Sequence, residues 1–445
     1  QVMRRLHETR IEVNGEPVRL IDEIDYISAV SGGSLAAAYH ALYWPTGRGN
    51  PKKYFKKFGK AMGQNIQDAV ILRMFSPSWV TKLTFSDIQR TDLLARYFNR
   101  KFFGGAKWSL LKKYSKAGLS PTLLLNSVIY QSERFGFGRK FVFTSLGADD
   151  FYVPNAGTTT GKNNGKQTLG SQEDARRSES LLGQALEVLT LDDLGLKHGN
   201  YPVARSVTAS AAFPILIRPL RILDRRARLN KAVLLGDGGI YDNLGTEAMT
   251  QRLVKVLKNS SYRGALLLVV NAEAPYQFGE GFRMVSVIHK LAETRARVLS
   301  RVLMARLAAA LPEQKRIHVV EIPLKEGGSS LKESKAIWKI PTAFKISKDD
   351  RKLVRKAVRR LMEARRPRIR TITKKLLLRS KPPRQQDPKA PSRPVPNPSS
   401  NSNPDPNSNS DPNSNPNPNS NPNPNSSAGS GPSPGANPKS VSKPD

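Results

Sequence analysis

Residues 24–38 read Ile-Asp-Tyr-Ile-Ser-Ala-Val-Ser-Gly-Gly-Ser-Leu-Ala-Ala-Ala, and no other stretch restricts the fold so tightly. An apolar strand runs into Ser31, two glycines follow, and an alanine-rich helix begins. This is the strand–turn–helix context of a G-x-S-x-G elbow, with Ala29 where the first glycine stands. Small residues two before and two after the serine, Ala29 and Gly33, let the two backbones pass closely around a strained turn. Such a turn presents Ser31 Oγ at the carboxyl edge of a sheet. The Gly32 amide, at the partly positive helix end, can then donate to a developing oxyanion. Two plainer readings compete. Gly32-Gly33 could cradle a phosphate, although neither a Walker lysine nor G-x-G-x-x-G is present. Ser31, or Ser34, could simply cap the helix.

An elbow needs an α/β sheet, and the rest of the first 350 residues supplies one. Strands are predicted at Ile24–Val30, Leu123–Tyr130, Phe141–Leu146, Ala232–Leu235, Leu266–Asn271 and Ile317–Ile322. Most are continuous Val/Ile/Leu runs, as in a mostly parallel central sheet covered on both faces. Helical patterns at Gly33–Tyr43, Thr246–Leu257 and Phe282–Leu311 lie between them. Asn155–Ser180 reads as a surface loop. Pro51–Leu111 reads as a helical insertion whose aromatic residues either face acyl chains, as a lid, or pack a subdomain.

A second segment, Ala232-Val233-Leu234-Leu235-Gly236-Asp237-Gly238-Gly239, puts an aspartate at a strand end before two glycines. Asp237 points into the carboxyl-edge crevice where ligands gather in open α/β sheets, unless it merely caps a glycine turn. With Ser31 it makes a bare Ser–Asp dyad. Asp237 would take the Ser31 proton as Oγ attacks an ester carbonyl, giving an acyl-enzyme that water hydrolyses. Because an ordinary aspartate is a weak base, burial has to raise its basicity.

Composition narrows the chemistry. Cysteine is absent, which excludes disulfides, cysteine ligands and cysteine nucleophiles. The five histidines (His7, His40, His198, His289, His318) show no metal-ligand spacing, so neither a metal nor a cofactor is expected. No apolar run approaches the ~18 residues of a membrane span. The 72 Lys and Arg exceed the 36 Asp and Glu by +36, which suggests a polyanionic partner. Between Arg351 and Ser380 there are 13 basic residues and one acid, Glu363. This stretch reads as an amphipathic helix broken at Pro367, with a second basic piece at Ile369–Arg379. It lacks interleaved aromatics and any nucleic-acid motif, so an anionic membrane surface is the expected partner and no specific nucleic acid is. From Lys381 to Asp445 the chain turns to Pro, Asn and Ser and is predicted to be disordered.

Taken together, Ser28–Ser34 and Asp237-Gly238-Gly239 resemble the elbow and acid motifs of the patatin-like phospholipases. Pro121–Asn126 with Arg134-Phe135 and Phe141–Thr144 is similar to that family's middle strand pair. Ala209-Ser210-Ala211-Ala212-Phe213-Pro214 is similar to the small-residue segment before its aspartate strand. The resemblance spans roughly residues 1–345. It implies a three-layer α/β/α fold and hydrolysis of a lipid or phospholipid ester by Ser31 and Asp237, with Ala29, Gly33, Gly238 and Gly239 shaping the two turns. The family also carries a Gly-rich oxyanion loop before the nucleophile. No such loop precedes Ser31 here, and Val2–Glu8 reads as the helix that would follow it. Only half an oxyanion hole, Gly32, is expected, and one lost donor costs about 2.7–4 kcal/mol.

The expected organisation is a hydrolase domain at 1–345 with its insertion at 51–111, a basic extension at 346–380 and a tail at 381–445. The expected location is cytoplasmic or at a membrane periphery. Two alternatives remain open: a Ser-Asp-His esterase using His289 or His318, and a polyanion binder whose enzyme fold is catalytically impaired.

Overall fold

Asn14 and Gly15 both have positive φ, 52° and 84°, the combination that a two-residue hairpin turn demands. The computed structural model describes residues 1–66, 90–153, 186–213, 217–227, 231–273, 298, 301–302, 304–340 and 346–378. In it, helix α1 (Val2–Glu8) is followed by the hairpin of β1 (Arg10–Val13) and β2 (Glu16–Arg19). Neither four-residue strand is apolar enough to stand out in the sequence. β3 (Tyr26–Val30) then leads into α2 (Gly32–Gly47) and α3 (Pro51–Met62). The insertion continues as α4 (Arg90–Phe98), a π-helical turn at Asn99–Phe103, and α5 (Trp108–Lys116). Next come β4 (Thr122–Gln131), β5 (Arg139–Thr144), α6 (Val203–Ser210), β6 (Leu220–Leu223), β7 (Ala232–Asp237) and α7 (Thr246–Lys258). The chain proceeds through β8 (Gly264–Asn271), β9 (Arg316–Pro323), α8 (Leu331–Trp338) and α9 (Lys348–Leu377).

The ten-residue β4 organises the site. β5 pairs antiparallel with Leu124–Ile129 along one edge. The other edge is shared end to end. β3 runs parallel to Thr122–Asn126, and β7 runs antiparallel to Ser127–Gln131. Val30 therefore ends opposite Asn126, and Asp237 ends opposite Ser127. Two strands running toward each other deliver their carboxyl ends to adjacent positions of a third. β6 pairs antiparallel with β7, and β8 and β9 form a separate parallel pair.

The α/β class and its layers are as expected. Leu123 and Leu125 face a core shared with Leu35, Leu42, Phe98 and Trp108, whereas Leu124 faces Phe151, Val188 and Ala248. Alternate residues of one strand thus bury into opposite helical layers. Within the five-stranded sheet, however, the directions are mixed rather than mostly parallel. The short link between β4 and β5 can only return antiparallel, and apolar periodicity carries no record of strand direction.

Phe98, Phe102 and Trp108 are fully buried in the core against the sheet. Burial of each such side chain is worth about 1.5–3 kcal/mol, so this part of the insertion packs the fold and does not line an acyl channel. Met74, Phe75, Trp79 and Phe85 lie outside the described residues, as do the loop 155–180, His289 and the tail 381–445. Of the helix predicted at Phe282–Leu311, the longest described run, 304–309, is helical.

Pro367 does not end the basic helix. α9 is continuous through it, from a Ser347 cap that accepts the Asp350 amide at 3.0 Å. Residues on both sides of the proline (Val358, Leu361, Met362 and Ile369) pack against Leu6, Ile11, Val320 and Ile322. That shared apolar stripe holds the helix together across the missing hydrogen bond.

Candidate active site

Ser31 is one of two non-glycine residues with positive φ among those described, at φ 51° and ψ −129°. A serine is held there only when its surroundings over-determine it, and here they do. The Ser31 amide donates to the Ser210 carbonyl at 3.1 Å and to Ser210 Oγ at 3.2 Å. Ser210 Oγ in turn donates to the Asn126 carbonyl at 2.6 Å and lies 2.8 Å from Ser34 Oγ. A hydroxyl has one proton to give, so Ser34 must be the donor in that last contact. The Asn126 side-chain amide donates to Ala29 O at 3.0 Å and to Ser28 Oγ at 2.8 Å. Ser28 Oγ then donates to the Gly245 carbonyl. β3, β4, α6 and the start of α7 are thereby tied to the elbow.

This geometry removes the capping readings. Ser31 precedes α2 without a side-chain cap bond, and the Ser34 hydroxyl is engaged with Ser210. The Gly33 Cα faces Ala29, where an added Cβ would sit 4.0 Å from the Ala29 methyl. Gly32 is sterically open, with no atom within 4 Å of such a Cβ. As the first residue of α2, Gly32 has an N–H with no partner inside the helix.

Asp237 is 2% exposed. Its backbone amide donates to Ala212 O at 3.0 Å, which docks β7 to the segment just after Ser210. Its carboxylate accepts the Gly239 amide at 2.8 Å and has the Ser31 hydroxyl as a neighbour that favours its charged form. Burial pushes its pKa up to about 6, although the Gly239 amide and the Ser31 hydroxyl both oppose the rise. Gly238 is required sterically, because a side chain there would stand 2.7 Å from the Asn126 carbonyl carbon. A Cβ at Gly239 would crowd Asn243 Oδ1 and Asp237 Oδ1 at 2.7 and 3.2 Å.

All seven residues singled out in the sequence (Ala29, Ser31, Gly32, Gly33, Asp237, Gly238 and Gly239) therefore converge where β3 and β7 meet. A family model, Patatin-like phospholipase, matches residues 2–250, more than half of the chain. The chain belongs to the patatin-like phospholipases. No curated protein matches it by sequence.

This patatin-like phospholipase is thus a member of a family of lipid acyl hydrolases. His318 sits within β9 opposite Leu266, and among the described residues no hydrogen bond joins it to Ser31 or Asp237. No cluster of His, Asp or Glu among the described residues could hold a metal. No described helix is long and apolar enough to cross a membrane. Asn126 and Ser210 were missed as site residues. Both fall in segments quoted for the family resemblance, and a polar Asn inside the run Leu123-Leu124-Leu125-Asn126 was the available signal. Their roles depend on strand pairing, which the sequence does not display.

Proposed function

We propose that this patatin-like phospholipase hydrolyses carboxylic esters of lipids, of the phospholipase A or lysophospholipase type, through a Ser31–Asp237 dyad. The observation that carries the reading is the strained Ser31 turn and the buried Asp237 brought to adjacent positions of β4, with the Asp237 pKa raised by burial. Asp237 accepts the hydroxyl proton as Ser31 Oγ forms a bond to the ester carbonyl carbon. The oxyanion that develops meets the Gly32 N–H and the positive end of α2. Collapse expels the alcohol, which takes the proton from Asp237, and leaves the acyl group on Ser31. Water, deprotonated in turn by Asp237, attacks the acyl-enzyme; collapse breaks the acyl–Oγ bond, Ser31 Oγ takes the proton back from Asp237, and the fatty acid leaves. The catalytic domain in this reading is residues 1–345.

The test is covalent labelling with a fluorophosphonate acyl-ester mimic. Labelling of the wild type that disappears in Ser31→Ala is expected. Equal labelling of both would overturn the assignment.

The reading extends to the surface on which such a substrate resides. Along α9, Lys352, Arg355, Lys356, Arg366, Arg370 and Lys374 are all exposed, while the opposite stripe is buried. Each cation near an anionic bilayer contributes about 1 kcal/mol. This supports residues 346–380 as a basic extension, packed on the hydrolase, that holds it to anionic lipid. Binding to vesicles should rise with anionic lipid and fall with salt. Equal affinity for neutral vesicles would refute the idea.

A further inference from the structure

β3 stops at Val30, opposite Asn126, but β4 continues past that level through Ser127–Gln131 before the chain turns back into β5. At about 3.3 Å per residue, that continuation carries the β4–β5 turn ~17 Å beyond the elbow. It projects on the carboxyl-edge side of β3, where Ser31 stands. The turn is held in shape: Gly136 and Gly138 both have positive φ, 73° and 76°. Their amides donate to Ser132 O at 3.0 Å and Ile129 O at 2.8 Å, and the Phe135 amide donates to Ser132 Oγ at 3.2 Å. Between the two glycines, Phe137 is 76% exposed.

A lone exposed phenylalanine would mean little, but this one continues an apolar surface. Its ring stacks on Tyr130 with centroids 6.5 Å apart, and the Tyr130 ring fills the space that a Gly236 side chain would take. Leu234, two residues earlier in β7, shares that face. Across the strand pair, Arg221 stands opposite Leu234 and Leu223 opposite Ala232. The alternate residues Leu220, Ile222, Val233 and Leu235 are buried in the core. Phe137, Tyr130, Leu234 and Leu223 therefore share the sheet's outer face, where Leu223 is 47% exposed. The β6–β7 turn lies at the same end, because β7 starts where β4 ends. The acids of residues 131–139 and 218–231 are Glu133 and Asp224, and they pair with Lys231 and Arg134. Arg221, Arg225 and Arg226 are exposed around the apolar surface.

Resting on the lipid-hydrolase reading, we propose that the β4–β5 turn is a membrane anchor. Phe137 enters an anionic lipid surface, Arg221, Arg225 and Arg226 meet its phosphates, and the edge bearing Ser31 is turned toward it. An apolar residue flanked by cations matches the layering of a bilayer interface, acyl chains beneath charged headgroups. The basic face of α9 offers charge, which salt screens; Phe137 adds an apolar contribution that salt leaves in place.

The chain has no cysteine, so Phe137→Cys in a Ser31→Ala background takes a single environment-sensitive fluorophore and leaves vesicles unhydrolysed. On vesicles of phosphatidylcholine and phosphatidylglycerol, the emission should shift to the blue and be quenched by lipids carrying a nitroxide on the acyl chain. Phe137→Asp in the otherwise native chain should bind these vesicles at least about tenfold more weakly and hydrolyse their lipid correspondingly less. Its labelling by a soluble fluorophosphonate should be unchanged. Arg225→Gln with Arg226→Gln should also weaken binding. A fluorophore left unquenched on vesicle-bound protein, or Phe137→Asp binding like wild type, overturns the proposal and leaves α9 as the contact. A wild type that binds no vesicle overturns it as well. A blue shift that needs no vesicles and grows with protein concentration would overturn it in favour of a second copy of the chain. The dyad is decided separately: if Ser31→Ala still labels, that reading has failed, whereas a quenched fluorophore still establishes the anchor.

Discussion

Ser210 Oγ donates to the carbonyl of Asn126 at 2.6 Å, and together these two residues hold the backbone on which Ser31 is strained. The bond joins the end of α6 to the point on β4 where the ends of β3 and β7 meet. Because Ser210 Oγ also accepts from Ser31 N and Ser34 Oγ, one hydroxyl supports both the turn and the first turn of α2.

Ser210→Ala therefore removes the acceptor of one buried hydroxyl and the donor to a buried carbonyl. A loss of about 1–3 kcal/mol in stability is expected from denaturant unfolding. Ester hydrolysis should fall by more than the unfolded fraction explains, since the Ser31 turn relaxes. Activity that tracks only the folded fraction would confine Ser210 to a structural part.

Asp237→Asn should be inactive and yet more stable at neutral pH. The carboxyl pKa is raised from 3.8 to about 6 in the folded protein, so the folded state holds this proton more tightly than the unfolded chain does. The resulting stability is fully present below the unfolded pKa and is lost as pH rises through about 6. Above that value the wild type bears a buried charge, and the asparagine does not. The gain is on the order of 3 kcal/mol. Melts at about pH 5 and about pH 8 should show the Tm difference widening with pH. An equal difference at both would contradict the assignment.

Gly238→Ala and Gly32→Ala separate steric need from sequence pattern. At Gly238 a methyl group meets the Asn126 backbone, which cannot move without β4. Overpacking of this kind costs about 1–3 kcal/mol and would displace Asp237. At Gly32 the space is open, so the variant should fold normally and keep its backbone N–H. A Gly238→Ala protein as stable and active as wild type would mean that the acid turn is looser than described.

Behind the acid turn, Lys140 of β5 is paired with Glu247 of α7 and donates to Gln251 Oε1 at 2.7 Å. Both charges are buried, and burial lowers the Lys140 pKa while Glu247 holds it up. Tyr241 donates to Glu247 at 3.4 Å, and the Glu247 amide donates to Asp242 at 2.7 Å, so the pair supports the loop that follows Asp237. Lys140→Met leaves Glu247 buried and unpaired and should cost about 3–5 kcal/mol. Lys140→Met with Glu247→Leu should recover most of that loss in a double-mutant cycle. A double variant no more stable than the single one would argue against the ion pair as the cause.

Much of the site was legible in the chain. Ser31-Gly32-Gly33 and Asp237-Gly238-Gly239 each sit at a strand end with the small residues their turns require, and turn chemistry is local. Six strands were anticipated, with ends shifted by a few residues at most. The hairpin around Asn14-Gly15 and the short β6 escaped because four-residue strands carry little periodicity. Pro367 misled for the opposite reason: a strong local breaker was overruled by Ile369 and its neighbours packing on the core.

Residue type and spacing along the chain were enough for the α/β class, the elbow and the acid, because sterics at glycine, burial of apolar runs and the identity of a nucleophile act within a few residues. The meeting of Ser31 with Asp237, the burial that raises the Asp237 pKa, and the support from Asn126 and Ser210 were not. These depend on β3 and β7 meeting head to head on β4, and strand direction, register and the loss of water around a carboxylate arise only when distant segments pack.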